Sequence, residues 1–213
     1  ELASYADYYV DDAFGAAHRA HASIDAITSY IPSAIGLLME QEIRELSKIL
    51  NPKRPFICVL GGLKVADKIG TIENLAKSAD KILIAGALGS TFLKASGINT
   101  QKSRVDAVEI AKDLLKRYEK KIVLPIDCMV RKDDLTARTS AIGDIREDEM
   151  IMDIGPKTIA LFEKELKKAQ TVFWNGPLGV CEVPAFAHGT ERIAVFLSKL
   201  HSTRIIGGGD SVD

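Results

Sequence analysis

From residue 56 onward, short apolar runs alternate with longer amphipathic stretches. Phe56-Ile57-Cys58-Val59-Leu60, Lys81-Ile82-Leu83-Ile84, Ile122-Val123-Leu124 and the runs at 171–174 and 203–206 are too short for buried helices and are bounded by turn residues. That pattern predicts buried β-strands, with Cys128, Met129 and Val130 strand-like as well. Between them, residues 104–119 place Val105, Val108, Ile110, Ala111, Leu114 and Leu115 on one helical face. Residues 156–169 and 184–200 predict two more helices, each opened by a proline in its first turn. Ala85-Gly86-Ala87 turns into a shorter helix at 91–95, and another helix should start just after Gly61-Gly62. Apolar strands alternating with amphipathic helices predict an α/β fold, a three-layer Rossmann-like parallel sheet with helices on both faces.

The first fifty residues are less regular. Residues 1–8 suit a helix and 9–14 a short strand, followed by Gly15 and a polar turn carrying His18, Arg19 and His21. Residues 32–50 predict the longest clear helix, with Pro32 in its first turn. Leu38, Met39, Ile43, Leu46, Ile49 and Leu50 form its apolar stripe, and Glu40, Glu42, Arg44, Glu45 and Lys48 its polar face. Asn51-Pro52 stops it. By itself it is a surface helix packed on a sheet. No internal repeat or low-complexity linker is visible.

Composition narrows the class. A chain of 213 residues with 46% hydrophobic and 27% charged residues can bury a substantial core. A net charge of −1 argues against a general nucleic-acid or anionic-membrane surface, so any phosphate-binding charge must be local. Cys58, Cys128 and Cys181 are widely spaced without a CxxC, which fits buried thiols in a reducing compartment. No leader-like opening and no bilayer-length apolar run occur, so a soluble, cytosolic protein is expected. The chain starts at Glu1 inside a helical stretch and stops at Asp210-Ser211-Val212-Asp213, where an acidic and a hydroxyl residue after glycines announce a helix. Both ends read as cut, and a fragment is expected.

Sheets of this kind bind ligands outside the carboxyl ends of their strands. The glycine turns at 61–62, 86, 176 and 207–209 all follow strands, so all should fall on that edge. After Gly61-Gly62 come Lys64, Asp67 and Lys68, with the two lysines four apart and hence on one helical face. Two ammonium groups beside free helix N–H groups make an anion site. An ordinary strand-to-helix turn with solvated lysines has the same sequence, and the residues alone leave both open. The loop is neither a Walker A motif nor GxGxxG, which disfavours a dinucleotide oxidoreductase. Gly207-Gly208-Gly209-Asp210-Ser211 offers backbone N–H groups to phosphate, or is simply a turn with a capping Asp. His18 and His21 are a weak metal hint, since no other ligand cluster completes a site.

A resemblance decides between these readings. Gly61-Gly62-x-Lys64-Val65-x-Asp67-Lys68 resembles the signature of the phosphoglycerate kinases, with Leu63 where the family usually has Ala. Tyr9-Val10-Asp11-Asp12-Ala13-Phe14-Gly15 with Ala17-His18-Arg19-Ala20-His21 is similar to the family's YVNDAFG…AHRAH, Asp11 replacing Asn. Trp174-Asn175-Gly176-Pro177-Leu178-Gly179-Val180 and Ile205-Ile206-Gly207-Gly208-Gly209-Asp210-Ser211 are similar to its WNGPxGV and IIGGGDS/T. The four motifs stand in the family's order over nearly the whole chain.

The resemblance implies reversible phosphoryl transfer between ATP and 3-phosphoglycerate, giving ADP and 1,3-bisphosphoglycerate, by an intact enzyme that is a monomer. It implies that residues 1–31 are the remnant of an N-terminal substrate lobe, 32–51 an interdomain helix, and 52–213 a nucleotide-binding lobe lacking its C-terminal part. Lys64, Gly209 and Ser211 would serve the transferred phosphoryl group, and Arg19 with His18 the phosphoglycerate. Lys68, Gly62, Gly86, Gly176, Leu178, Glu182, Gly208, Gly209, Asp210 and Ser211 would bind nucleotide, Glu182 through the ribose and Gly86 in the adenine slot. Asp210 and Asp67 would stand near Mg²⁺. Cys181 replaces the usual Phe, and Ala87-Leu88-Gly89-Ser90 replaces a commoner Gly-Met-Ala-aromatic. The alternative is a catalytically incomplete fragment that acts only as an adenine-nucleotide-binding module.

Overall fold

A computed structural model of the chain describes residues 1–63, 68–132 and 136–208. The chain divides into two compact units, Glu1–Asn51 and Pro52–Asp213. In the first, the helix expected over residues 1–8 is a single 3₁₀ turn, Leu2–Tyr5. Strand β1 (Tyr9–Asp11) is shorter than the expected 9–14, because the chain tightens into another 3₁₀ turn at Phe14–Ala16. The long helix also starts later than Pro32. Ser33–Ile35 is strand β2, parallel to β1, and helix α1 runs over Leu37–Ser47. The start is set from a distance: the Asp12 carboxylate accepts from Met39 N at 2.7 Å, and a Cβ on Gly36 would strike that carboxylate.

The second unit begins with β3 (Phe56–Leu60), α2 (Ile69–Ser78), β4 (Lys81–Ile84), α3 (Gly86–Ala95) and α4 (Val108–Tyr118). It continues with β5 (Ile122–Val123), β6 (Asp127–Lys132), β7 (Ala137–Ala141) and β8 (Glu149–Ile154). Helix α5 (Pro156–Leu166), β9 (Thr171–Asn175), α6 (His188–Ser198) and β10 (Thr203–Gly207) complete it. The main sheet is five-stranded and wholly parallel, in the order β10-β9-β3-β4-β5. Its alternation follows the pleat. Ile57, Val59, Leu83, Val172 and Trp174 pack with Ile159, Phe162 and Leu166 of α5 and Ile193 and Leu197 of α6. The intervening Phe56, Cys58, Leu60, Ile82 and Ile84 are equally buried, on the opposite face, where α3 meets β4 and α4 packs on α3 and α2. The expected α/β architecture is therefore present. Burial raises the thiol pKa of Cys58 and pushes that of Cys128 up to about 12. No helix of the described residues is long and apolar enough to cross a membrane.

One element was not foreseen beyond its central residues, a second sheet that is antiparallel, in the order β7-β6-β8. It covers a smaller core of Leu93, Cys128, Val130, Ile142 and Ile145. Its strands read poorly as strands because β7 is mostly exposed and β8 begins with a charge. That charge, Glu149, is fully buried and accepts two bonds from the Arg138 guanidinium, both at 2.7 Å, and one from Arg146 N at 2.9 Å.

The paired guanidinium holds the Glu149 carboxyl down at about 2, below its ordinary 4.5. A depressed folded-state value means that this pair stabilises the protein above about pH 4.5, and that the contribution fades as pH falls toward 2. Arg138→Ala leaves a buried carboxylate without its partner and should cost roughly 3 kcal/mol at pH 7 in urea unfolding. The penalty should shrink as pH is lowered toward 3, because the orphaned Glu149 can then take a proton. A penalty independent of pH would show that the lost stability comes from packing and not from this ion pair.

Candidate functional site

The parallel sheet reverses direction of growth between β3 and β9, since β4 and β5 are added on one side and β9 and β10 on the other. In open α/β sheets, the crevice at such a reversal is where ligands bind. Here the loops leaving β3, β4 and β9 are laced together by backbone alone. Gly61 N donates to Asn175 O and Gly62 N to Pro177 O, both at 2.9 Å. Gly86 N donates to Leu178 O and Leu88 N to Gly62 O, both at 3.1 Å. Gly176 has φ +88°, and a Cβ there would lie 2.5 Å from Gly61 O and 2.8 Å from Lys68 Nζ. No side chain fits. Trp174 Nε1 donates to Gly176 O at 2.8 Å and Asn175 Nδ2 to Gly207 O at 3.0 Å, tying the same turn to the core and to β10.

Over this crossing lies a cleft of about 710 Å³. Of the residues singled out in the sequence, Gly62, Lys68, Gly86, Gly176, Glu182 and Gly208 line it. Leu178 does not: its side chain is wholly buried in the core under α5 and α6, and its amide donates to Thr190 Oγ1 at 2.9 Å. Lys68 stands at the N-cap of α2, one residue before the helix proper, not inside its first turn. Its Nζ donates to Gly61 O at 2.5 Å and so sits among the glycine corners. Lys64, Asp67, Gly209, Asp210 and Ser211 lie outside the described residues. His18 and Arg19 are exposed on a turn of the first unit, where Arg19 N donates to Ala16 O at 2.9 Å. Among the described residues, no group of three His, Cys, Asp or Glu could hold a metal ion.

The other wall of the cleft was foreseen only at Ala87 and Ser90, in the segment noted beside Gly86. Met150, Ile151 and Met152 of β8 line it, with Ala87 and Ser90 of α3 and Arg104 before α4. Reading β8 as a strand would have brought its residues into view. Asn175, Pro177, Gly179 and Val180, also in the lining, were inside a motif already noticed. Val180 N donates to Met152 O at 2.9 Å, which fastens the loop carrying Glu182 to β8. Below it Asp153 is buried, accepting from Gly189 N at 2.7 Å and Ile154 N at 2.8 Å. Burial pushes its carboxyl up to about 6 against the pull of those two donors.

Closely approachable glycine backbone, an ammonium and an apolar wall together suit a ligand with an anionic tail and a flat head. The phosphoglycerate kinase family model matches residues 1–213. The phosphoglycerate kinase of Dictyoglomus turgidum is 47% identical over 221 residues, covering 99% of this chain and 56% of that protein. That of Macrococcus caseolyticus is 49% identical over 216 residues, covering 98% of this chain and 54% of that protein. Among solved structures, the Coxiella burnetii phosphoglycerate kinase superposes with a TM-score of 0.89 at 35% identity, over 99% of this chain and 57% of its own. The Pyrococcus horikoshii enzyme gives 0.91 at 30% identity, over 99% and 56%. The chain thus spans little more than half the length of these relatives. Across all of its residues, it belongs to the phosphoglycerate kinase family.

Proposed function

We propose that the cleft binds an adenine nucleotide, and that the protein serves reversible phosphoryl transfer between ATP and 3-phosphoglycerate, giving ADP and 1,3-bisphosphoglycerate. One observation carries the reading: Gly62, Gly176, Gly208 and Lys68 line the same cleft as Gly86 and Glu182. The first group brings backbone bare of side chains and a positive charge to phosphates, and Glu182 a double acceptor for a ribose diol. Transfer of this kind asks little covalent chemistry of a protein, which must align the phosphates and offset the charge that develops on the moving group. Lys64 is assigned to that group, together with Gly209 and Ser211. Arg19, with His18 beside it, is assigned to the phosphoglycerate, because a guanidinium fork matches carboxylate and phosphate oxygens. In the same proposal residues 1–31 belong to the substrate lobe, 32–51 form the interdomain helix and 52–213 form the nucleotide lobe of a monomeric cytoplasmic enzyme.

The described cleft offers no cage of metal ligands. That fits a magnesium ion carried chiefly by the nucleotide's own phosphates, for which one or two carboxylates suffice. Asp210 and Asp67 are the residues proposed to hold it, and bound there it would offset phosphate charge. A second reading, that residues 1–213 alone bind nucleotide and turn nothing over, is favoured by the share of the relatives' length that they span.

Calorimetric titration of this chain with MgADP should give binding at one site, and a coupled kinase assay run beside it chooses between the readings. Turnover supports the enzyme reading for the chain itself, binding alone supports the module, and absence of binding refutes both. Glu182→Ala should weaken MgADP about tenfold, the value of a hydrogen-bonded charge, with phosphoglycerate affinity of the full-length protein unchanged. In that protein Lys64→Ala should lower kcat far more than nucleotide affinity. Equal loss in both would remove Lys64 from the transition state.

A further inference from the structure

Arg104 lines the cleft and has no part in the roles assigned above. Its backbone is firmly placed. Lys102 N donates to Glu149 O at 3.2 Å, Ser103 Oγ accepts from Ile151 N at 2.8 Å, and Asp106 N donates to Thr91 Oγ1 at 3.2 Å. These bonds strap residues 102–106 along β8 and α3, directly beside the apolar wall. The side chain is different. It is exposed, and its guanidinium makes no hydrogen bond or ion pair with any described residue. A fixed root with an unengaged cation at the rim of an apolar slot is an arrangement that a ligand completes.

The position separates head from tail. Gly62, Gly176 and Gly208 follow β3, β9 and β10, where bare glycine backbone and the Lys68 ammonium gather. Arg104 stands on the side of β8 and α3, among Met150, Met152 and Ala87, where the wall has few polar groups. A planar guanidinium there suits the face of a heterocycle better than a phosphate, because it can lie flat on a π-system while keeping its edge in water. We propose that Arg104 is a base-recognition residue, its guanidinium covering the exposed face of the nucleotide's purine against the Met150–Met152 wall. The inference rests on the proposed binding of an adenine nucleotide in this cleft.

The test compares MgADP, which has base and phosphates, with adenosine, which has the base alone. Affinities are read by calorimetry and, for weak adenosine binding, by NMR chemical-shift titration. Arg104→Ala should weaken both ligands by the same factor, about five- to tenfold. Arg104→Lys should recover only part of the loss, since it keeps the charge and loses the plane. The side chain is exposed, so unfolding midpoints of the variants should match that of the parent chain. Loss confined to MgADP would make Arg104 a phosphate ligand and overturn the proposal, as would no loss in either ligand or full recovery by Lys. Failure of the parent chain to bind either ligand would instead refute the nucleotide reading, and this inference with it.

Discussion

Everything at the site depends on how closely the backbones leaving β3 and β9 approach one another. Two parallel strands that send their chains to opposite sides leave a gap at their carboxyl ends, and here that gap is closed by amide-to-carbonyl bonds between Gly61, Gly62, Asn175 and Pro177. A Cβ at Gly61 would run into Pro177 O, and one at Gly86 would lie 2.9 Å from Gly62 N. The glycines are thus required first by the crossing itself. The use proposed for them follows, because backbone stripped of side chains can be approached closely by phosphate oxygens. Lys68, bonded to Gly61 O, brings the positive charge into the same corner.

Sequence patterns made the crossing legible because it is local. The strands expected at 56–60 and 81–84 coincide with β3 and β4, and those at 171–174 and 203–206 each gain only one residue. Glycine after an apolar run marks a strand's end wherever the strand lies in the sheet. Helix starts were harder, since among the described residues none of the six α-helices has a side-chain cap bond from its own N-cap residue. Three are instead capped by an aspartate from elsewhere in the chain. Asp12 serves α1, Asp127 accepts from Lys157 N and Thr158 N of α5 at 2.9 and 2.7 Å, and Asp153 accepts from Gly189 N of α6. At α1 and α5 a glycine occupies the cap, and any Cβ there would collide with the carboxylate. A Gly before a helix with an Asp some thirty residues away has no local signature, so Pro32 drew the predicted boundary too early.

The same limit hid half of the cleft. Strand β8 carries Glu149 and Asp153 at buried positions, and two buried charges in six residues break the alternation by which strands are found. Both charges are legible only once their partners are in place: Arg138 on β7, across β6 from β8, and the first turn of α6. Arg104 was missed for a related reason. It precedes a well-patterned helix, and nothing in its own neighbourhood says that β8 passes beside it.

Those two carboxylates also explain why the apolar wall keeps its shape. Met150, Ile151 and Met152 lie between them, so the wall is clamped at one end by Glu149 and at the other by Asp153. The clamps differ in kind. A guanidinium neutralises Glu149 and holds its pKa near 2, whereas Asp153 has only backbone donors and burial drives it up to about 6. A raised value means that the folded state takes the proton more readily than the unfolded chain, so through this group stability falls as pH rises from about 4 to 6. Ionised Asp153 is held at a cost, offset by the α6 N-terminus that it faces. Acidification therefore reaches the Asp153 end first. That end abuts Gly179 and the loop leading to Glu182, while the end beside Arg138 stays charged far below it. Of the two carboxylates flanking the apolar wall, the one nearer the loop assigned to the ribose thus takes its proton first.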